Sequence, residues 1–140
     1  MKIYQREIQL NEYRRGYHLI TDILVREMPE IGDIITGQFQ VFLKHTSASL
    51  TINENADPTV RLDFETHINE MIPEGMSYYK HNYEGDDDMP AHIKSSILGC
   101  QVLIPVTNGK LNMGIWQGIY LGEHRNCGGK RKLVLTLTGV

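Results

Sequence analysis

The stretch QVLIPVTNGKLNMGIWQGIYLGEHRNCGGKRKLVLTLT, residues 101–138, decides the fold class. Leu133, Leu135 and Leu137 recur at every second position, the period of a strand with one face in a core. Asn108-Gly109 and Gly128-Gly129 mark tight turns, because these residues tolerate the positive φ that hairpins need. The stretch therefore divides into strands 101–106, 111–124 and 131–138. Gly114, Gly118 and Gly122 fall on one face of the middle strand and leave gaps there. Such gaps admit a ligand, a bulge or a neighbouring subunit at close range.

Outward from that region the periodicity changes. Pro90 opens a short helix that Gly99 closes, and residues 74–89 form a long polar connection with three consecutive aspartates. Connections of that length are usually functional or mobile. Asp57-Pro58 starts another helix, with Asp free to cap backbone N–H groups and Pro suited to the first helical position. Its buried stripe is Val60, Phe64, Ile68 and Met71, and Pro73 ends it. Strands are expected over 34–43 and around Leu50 and Ile52. Leu19, Ile20, Ile23, Leu24 and Met28 predict a helix opened by Gly16 and stopped by Pro29, which puts His18 on that helix. Residues 3–10, with Ile8 and Leu10 on one face, read as an edge strand. The alternation of helices with hairpin-linked strands predicts a single α+β domain over residues 1–140 with largely antiparallel sheets.

The chain has 140 residues, with 14 Lys and Arg against 17 Asp and Glu, a net charge of −3. That length supports a core without disulfides, and the slight acidity excludes a generic basic nucleic-acid coat. Cys100 and Cys127 form no CxxC pair, as expected of free thiols in a reducing compartment. The charged start MKIYQREIQL has no apolar signal region, and no stretch is long and apolar enough to span a bilayer. A cytoplasmic protein is expected, with neither nucleic acid nor membrane as partner.

Three segments carry more polar chemistry than packing requires. Residues 44–57 set Lys44 and His45 beside the hydroxyls of Thr46, Ser47 and Ser49, a set able to cradle an anion. Asn53 and Glu54 follow, and Asp57 is explained by its capping role. Residues 81–92 place His81 and His92 around Asp86, Asp87 and Asp88. Imidazoles suit Zn²⁺ and carboxylates suit Mg²⁺, although the spacing matches no zinc-finger or HExxH pattern. Asp87 and Asp88 are equally explained as a solvated run with one helix cap. In residues 114–125, strand parity puts Gln117, Glu123 and Arg125 on one face and Trp116, Tyr120 and His124 on the other. Glu123 and Arg125 read either as a surface ion pair or as a phosphate clamp beside a carboxylate that positions a metal or a proton. His18 and His67 sit among periodic apolar residues and are left outside the site.

Together, HTSASLTINENADP (45–58), EGDDDMPAHIKSSILG (84–99) and GIWQGIYLGEHR (114–125) closely resemble the YjbQ-like family. The resemblance implies an α+β fold with two packed sheets, a homotrimer, metal binding in some members and a secondary thiamine-phosphate synthase activity. Carried onto this chain, it implies a pocket of His45, Asn53, Glu54, His81, Asp86, His92, Gln117, Glu123 and Arg125. The implied reaction joins hydroxymethylpyrimidine diphosphate to thiazole phosphate and releases pyrophosphate. Asp86 and Glu123 would then hold Mg²⁺ on the diphosphate, and Arg125 and Lys44 would supply positive charge. Ser47 and Ser49 would donate hydrogen bonds, and Asn53 or Glu54 would read the aminopyrimidine edge. The alternatives are a hydrolase of a small phosphorylated substrate, with Zn²⁺ on His45, His81 and His92 and with Glu123 or Asp86 as base, and a non-enzymatic metal- or ligand-binding trimer.

Overall fold

In the computed structural model, which describes residues 1–140, two antiparallel sheets face each other across one core. The larger sheet has the order β1-β8-β3-β5-β6, formed by β1 (Lys2–Gln9), β8 (Lys132–Gly139), β3 (Thr36–Leu43), β5 (Gln101–Thr107) and β6 (Lys110–Leu111). The smaller has the order β2-β7-β4, formed by β2 (Gly16–Leu19), β7 (Gln117–Glu123) and β4 (Ala48–Glu54). Period-2 alternation does the sorting. Leu133, Leu135 and Leu137 of β8, Phe39, Val41 and Leu43 of β3, and Val102, Ile104 and Val106 of β5 meet Leu50, Ile119 and Leu121 from the opposite sheet. Asn108 and Gly109 both have positive φ, as the β5–β6 turn demands.

The second face of the small sheet is covered by α2 (Pro58–Met71) and α3 (Asp88–Leu98), while α1 (Thr21–Glu27) closes an edge of the core with Ile20, Leu24 and Met28. Asp57 caps α2 by accepting from Thr59 N at 2.9 Å. No helix is long and apolar enough to cross a membrane.

Five expectations are corrected. Residues 16–19 are a strand, not the start of a helix: Tyr17 pairs with Gly122 and Leu19 with Tyr120, and the helical spacing holds only from Ile20 onward. His18 therefore lies on β2. Residues 111–124 are not one strand, because the chain leaves the large sheet after β6 and enters the small one at β7. Between them Gln117 Oε1 accepts from Gly114 N at 2.7 Å and closes a turn, so Gly114 is off the strand and Arg125 lies beyond its end. Gly118 and Gly122 do share a face, but the space above them is filled by this chain: a methyl group at Gly118 would lie 2.6 Å from Leu19 Cδ2, and one at Gly122 would lie 2.4 Å from Ser49 Oγ. The α2 stripe ends on buried Ile72, with Met71 exposed. Finally, α3 begins at Asp88, two residues before Pro90.

Candidate metal centre

The earlier start of α3 builds the site. Asp88 and His92 stand four residues apart on one helix face, so their side chains stack on successive turns. The chain before α3 brings His81 back over them through Gly85, whose φ of 113° favours glycine. Asp88 is 1% exposed. Its Oδ2 accepts from His81 Nε2 at 2.7 Å, and its Oδ1 accepts from Arg125 Nη1 at 2.6 Å. Burial works against its charge, but the His81 hydrogen bond and the charges of Arg125 and His92 outweigh it, and the carboxyl is held below its ordinary range.

His92 contributes a defined tautomer. Its Nδ1 stands 2.8 Å from the Thr46 carbonyl, which only accepts, so that nitrogen carries the proton. Its Nε2 faces Asp88 Oδ1 at 3.3 Å. A proton on Nε2 or a cation between the two atoms joins them. One donor atom each from His81, Asp88 and His92 lie within 4.8 Å of one another. Two imidazoles and a carboxylate form a donor set that suits Zn²⁺ and related ions, and three protein ligands leave positions open. The residues present fit a divalent metal.

Around this trio sits a frame. Each nitrogen of the Arg125 guanidinium donates one hydrogen bond: Nε to Asp87 Oδ2 at 2.9 Å, Nη1 to Asp88 Oδ1 at 2.6 Å, and Nη2 to the Glu84 carbonyl at 2.9 Å. Asp87 also accepts from Asn126 N at 2.9 Å. Burial opposes its ionisation, but that N–H and Arg125 prevail, and its carboxyl is lowered. Asp87 occupies the position before α3 without capping it through its side chain.

Of the residues singled out from the sequence, His81, His92 and Arg125 come together here, joined by Asp87 and Asp88, which are neither a solvated run nor a side-chain cap. Asp86 is exposed and lines an adjoining cavity. His45 is not in the trio: its Nε2 accepts from Lys132 N at 2.8 Å, and burial followed by the nearby Arg131 charge lowers its pKa. Glu123 is buried between the sheets, gripped by Arg131 through Nε at 2.7 Å and Nη2 at 2.6 Å, and it also accepts from Arg125 N at 3.2 Å. It therefore helps fix the segment that carries Arg125. Ser47 gives its carbonyl to Arg131, and Ser49 Oγ pairs with His124 Nε2 at 2.8 Å under the helices. Lys44 pairs with Glu7 on the surface at 2.8 Å. Asn53 Oδ1 accepts from Glu54 N at 2.8 Å, and Glu54 pairs across to Gln117. That pair ends β4 and β7 opposite the Ala48–Glu123 pair, about 20 Å away by strand rise. Asn53, Glu54 and Gln117 thus lie at the far end of the small sheet.

The sequence reading missed Asp88, the Thr46 carbonyl and Arg131. Only the Asp88–His92 spacing carries a local signal, and only once α3 is known to start at Asp88.

Comparison with known proteins places this architecture. The family model described as "UPF0047 protein YjbQ-like" matches residues 6–140. The UPF0047 protein YjbQ of Salmonella typhimurium is 54% identical over 97% of this chain and 98% of its own length. That of Escherichia coli O157:H7 is 47% identical over the same shares. Among solved structures, a protein of unknown function from Sulfolobus solfataricus superposes with a TM-score of 0.86 at 29% identity, covering 99% of each chain. A YjbQ/UPF0047 family protein from Clostridium acetobutylicum superposes with a TM-score of 0.84 at 35% identity, covering 95% of this chain and 99% of that one.

Proposed function

We propose, for a chain that belongs to the UPF0047 YjbQ-like family, a divalent-metal-dependent transfer reaction on a small phosphorylated molecule, carried out by a cytoplasmic homotrimer, with His81, Asp88 and His92 as the metal ligands. The observation that carries this reading is the convergence of His81, Asp88 and His92, with one donor atom from each within 4.8 Å of the others and His92 Nε2 facing Asp88 Oδ1 at 3.3 Å. When bound, the ion supplies positive charge to phosphate or diphosphate oxygens. The protein's own groups do the rest. The Thr46 carbonyl holds the His92 tautomer, and Arg125 keeps Asp88 ionised and oriented, as outer partners of metal ligands do. His81 has to release its Nε2 proton from Asp88 before that nitrogen can ligate, so metal affinity rises with pH.

In this reading the transfer is thiamine-phosphate synthesis: the thiazole nitrogen forms a bond to the carbon that loses diphosphate, and no enzyme nucleophile is needed. Asp87, Asp88 and the Glu84 carbonyl hold three of the five N–H donors of Arg125, and the two carboxylates offset its charge, so a metal held by His81, Asp88 and His92 would supply the positive charge that the leaving group needs. A metal-dependent hydrolase is the second reading, and the two imidazoles favour it because they suit Zn²⁺ better than Mg²⁺.

Calorimetric titration with Zn²⁺, Mn²⁺ and Mg²⁺ tests the site. His81→Ala and His92→Ala are each expected to weaken Zn²⁺ binding by tenfold or more, about 1.4 kcal/mol, while the thermal midpoint moves little. Unchanged affinity in both variants would remove the trio from the site. With metal present, pyrophosphate released only when both substrates are supplied marks the transferase, and phosphate released from a single ester marks the hydrolase.

A further inference from the structure

We infer that residues 75–85 form a strap, hinged at Gly75 and Gly85 and fastened between its ends through His81, which a metal at the trio locks shut. The lock rests on the metal-site reading, and the strap itself does not. Both hinge residues have positive φ, 71° and 113°, a region that glycine enters freely. A few such residues can absorb the backbone rotation of a whole segment. Both ends are anchored. Glu74, just before the first hinge, accepts from Arg15 Nη1 at 2.6 Å. Arg15 Nη2 donates to Asn69 Oδ1 at 2.9 Å, and that oxygen also accepts from Nζ of the buried Lys94 at 2.6 Å. At the other end Arg125 Nη2 holds the Glu84 carbonyl, and Asp88 N donates to the Gly85 carbonyl at 3.3 Å.

Between the hinges little else holds the segment. None of residues 76–84 is buried. Their one internal backbone hydrogen bond runs from Tyr79 N to the Met76 carbonyl at 3.0 Å. The Tyr79 hydroxyl donates to the Pro73 carbonyl at 3.2 Å, which is the root of the same strap. A void of about 240 Å³ lies against the segment, bounded by its own residues and by Asp86 and Met89 beyond the second hinge. The strap therefore arches over space instead of packing on a sheet. His81 is the exception. Its Nε2 donates to Asp88 Oδ2 at 2.7 Å, and its ring meets that of His92 edge-on at 5.3 Å.

A segment with so few buried contacts opens at low free energy while the rest of the molecule stays folded. Asp88 and His92 belong to α3 and stay in place, so a metal on all three ligands bonds the strap to that helix. Opening takes away one ligand of the three. The ion therefore binds the closed form more tightly and shifts the population toward it. Opening in turn gives an incoming ion or ligand a path to Asp88, which is 1% exposed.

Cleavage by chymotrypsin after Tyr78 and Tyr83 reads the opening. Both side chains are exposed, but a protease cleft admits only chain that has come away from its anchors. When opening and closing are fast, the rate follows the open population. Each rate is divided by that of a peptide of residues 73–86 carrying the same substitution. In metal-free protein His81→Ala is expected to be cut about threefold faster or more, for loss of one hydrogen bond to a charged group. His92→Ala should be cut at close to the wild-type rate. Saturating Zn²⁺ should slow cleavage of wild type by about tenfold or more and leave His81→Ala unchanged. Cleavage after the exposed Trp116, outside the strap, is the reference and should not respond to Zn²⁺. A first cut outside residues 75–85, His81→Ala cut no faster than wild type, or His92→Ala cut as fast as His81→Ala would each overturn the strap. Calorimetry on the same samples separates the two readings. If Zn²⁺ does not bind but metal-free His81→Ala is cut faster, the metal reading fails and the strap stands without its lock. If Zn²⁺ binds and wild-type cleavage is not slowed, or slows equally after Trp116, the metal reading stands and the lock is overturned.

Discussion

His124 is 1% exposed, its ring edge against Tyr17 and its Nε2 on Ser49, with the cationic Lys94 and Arg15 nearby. Burial, reinforced by those cations and Arg131, pushes its pKa down to about 3. The unfolded chain therefore binds a proton at His124 that the folded chain refuses, throughout the interval from about 6.5 down to about 3. Stability rises with pH wherever the unfolded state holds more protons, so the contribution of His124 is complete above pH 6.5 and is lost as pH falls. By pH 5 the loss reaches about 2 kcal/mol, from 1.5 units at 1.36 kcal/mol each. The lowered carboxyls Asp87 and Asp88 act at more acid pH, below their ordinary range near 3.8, so the two effects separate. Urea unfolding midpoints of wild type and His124→Asn at pH 7 and pH 5 check this. The wild type should lose stability over that interval and the variant much less, and equal slopes would rule out His124 as the cause.

At the scale of elements, β7 is the piece on which both layers depend. Its odd-numbered residues Ile119, Leu121 and Glu123 face the opposite sheet, and its even-numbered residues face the helices, where Gly118 and Gly122 let Leu19 and Ser49 approach. Gly122→Ala would set a methyl 2.4 Å from Ser49 Oγ and 3.0 Å from the His124 ring, inside a layer with no room to relax. Overpacking of this kind costs about 1–3 kcal/mol. Gly32→Ala, with nothing within 4 Å, is the control and should stay within about 0.5 kcal/mol. Thermal midpoints that move equally for the two variants would contradict this account of β7. The same element shows what the sequence discloses. β8 and the Asp57-Pro58 start of α2 were legible because alternation and capping are local properties. The break between β6 and β7 was not, because the change of sheet depends on partners far away in the chain. Gly16–Leu19 was masked by the helical spacing of Ile20, Leu24 and Met28, which continues directly from it. In the site, His81 and His92 were legible as residue types, but which of Asp86, Asp87 and Asp88 turns inward is decided by the helix start and by Arg125, and three identical neighbours carry no mark of that choice.

For the whole molecule, the large sheet has one face in the core and the other uncovered by any helix. On that outer side Phe42 lies beside Val134 across the β3–β8 pairing, with Leu103 and Pro105 on adjacent β5 and Ile3 on β1. Phe42, Leu103 and Ile3 are 42%, 55% and 68% exposed. Gln40 spends its amide on Gln101 and Gln5 on Thr136, so much of the polar surface of this face is already paired internally. Neighbouring apolar side chains in this setting favour contact with another subunit over solvent. The proposed homotrimer covers such a face by closed rotational symmetry, which leaves no open sheet surface for further growth. Light scattering on the eluted protein at micromolar concentration should then give three times 16.0 kDa, about 48 kDa. Phe42→Glu combined with Leu103→Glu should shift the mass to that of one chain, with the circular dichroism of a folded protein, since neither residue belongs to the core. A wild-type mass of 16.0 kDa would end the trimer proposal outright. A trimer unaffected by the double substitution would move the interface to another surface, with the exposed Ile115–Trp116 turn at the far end of the small sheet as the next to be changed.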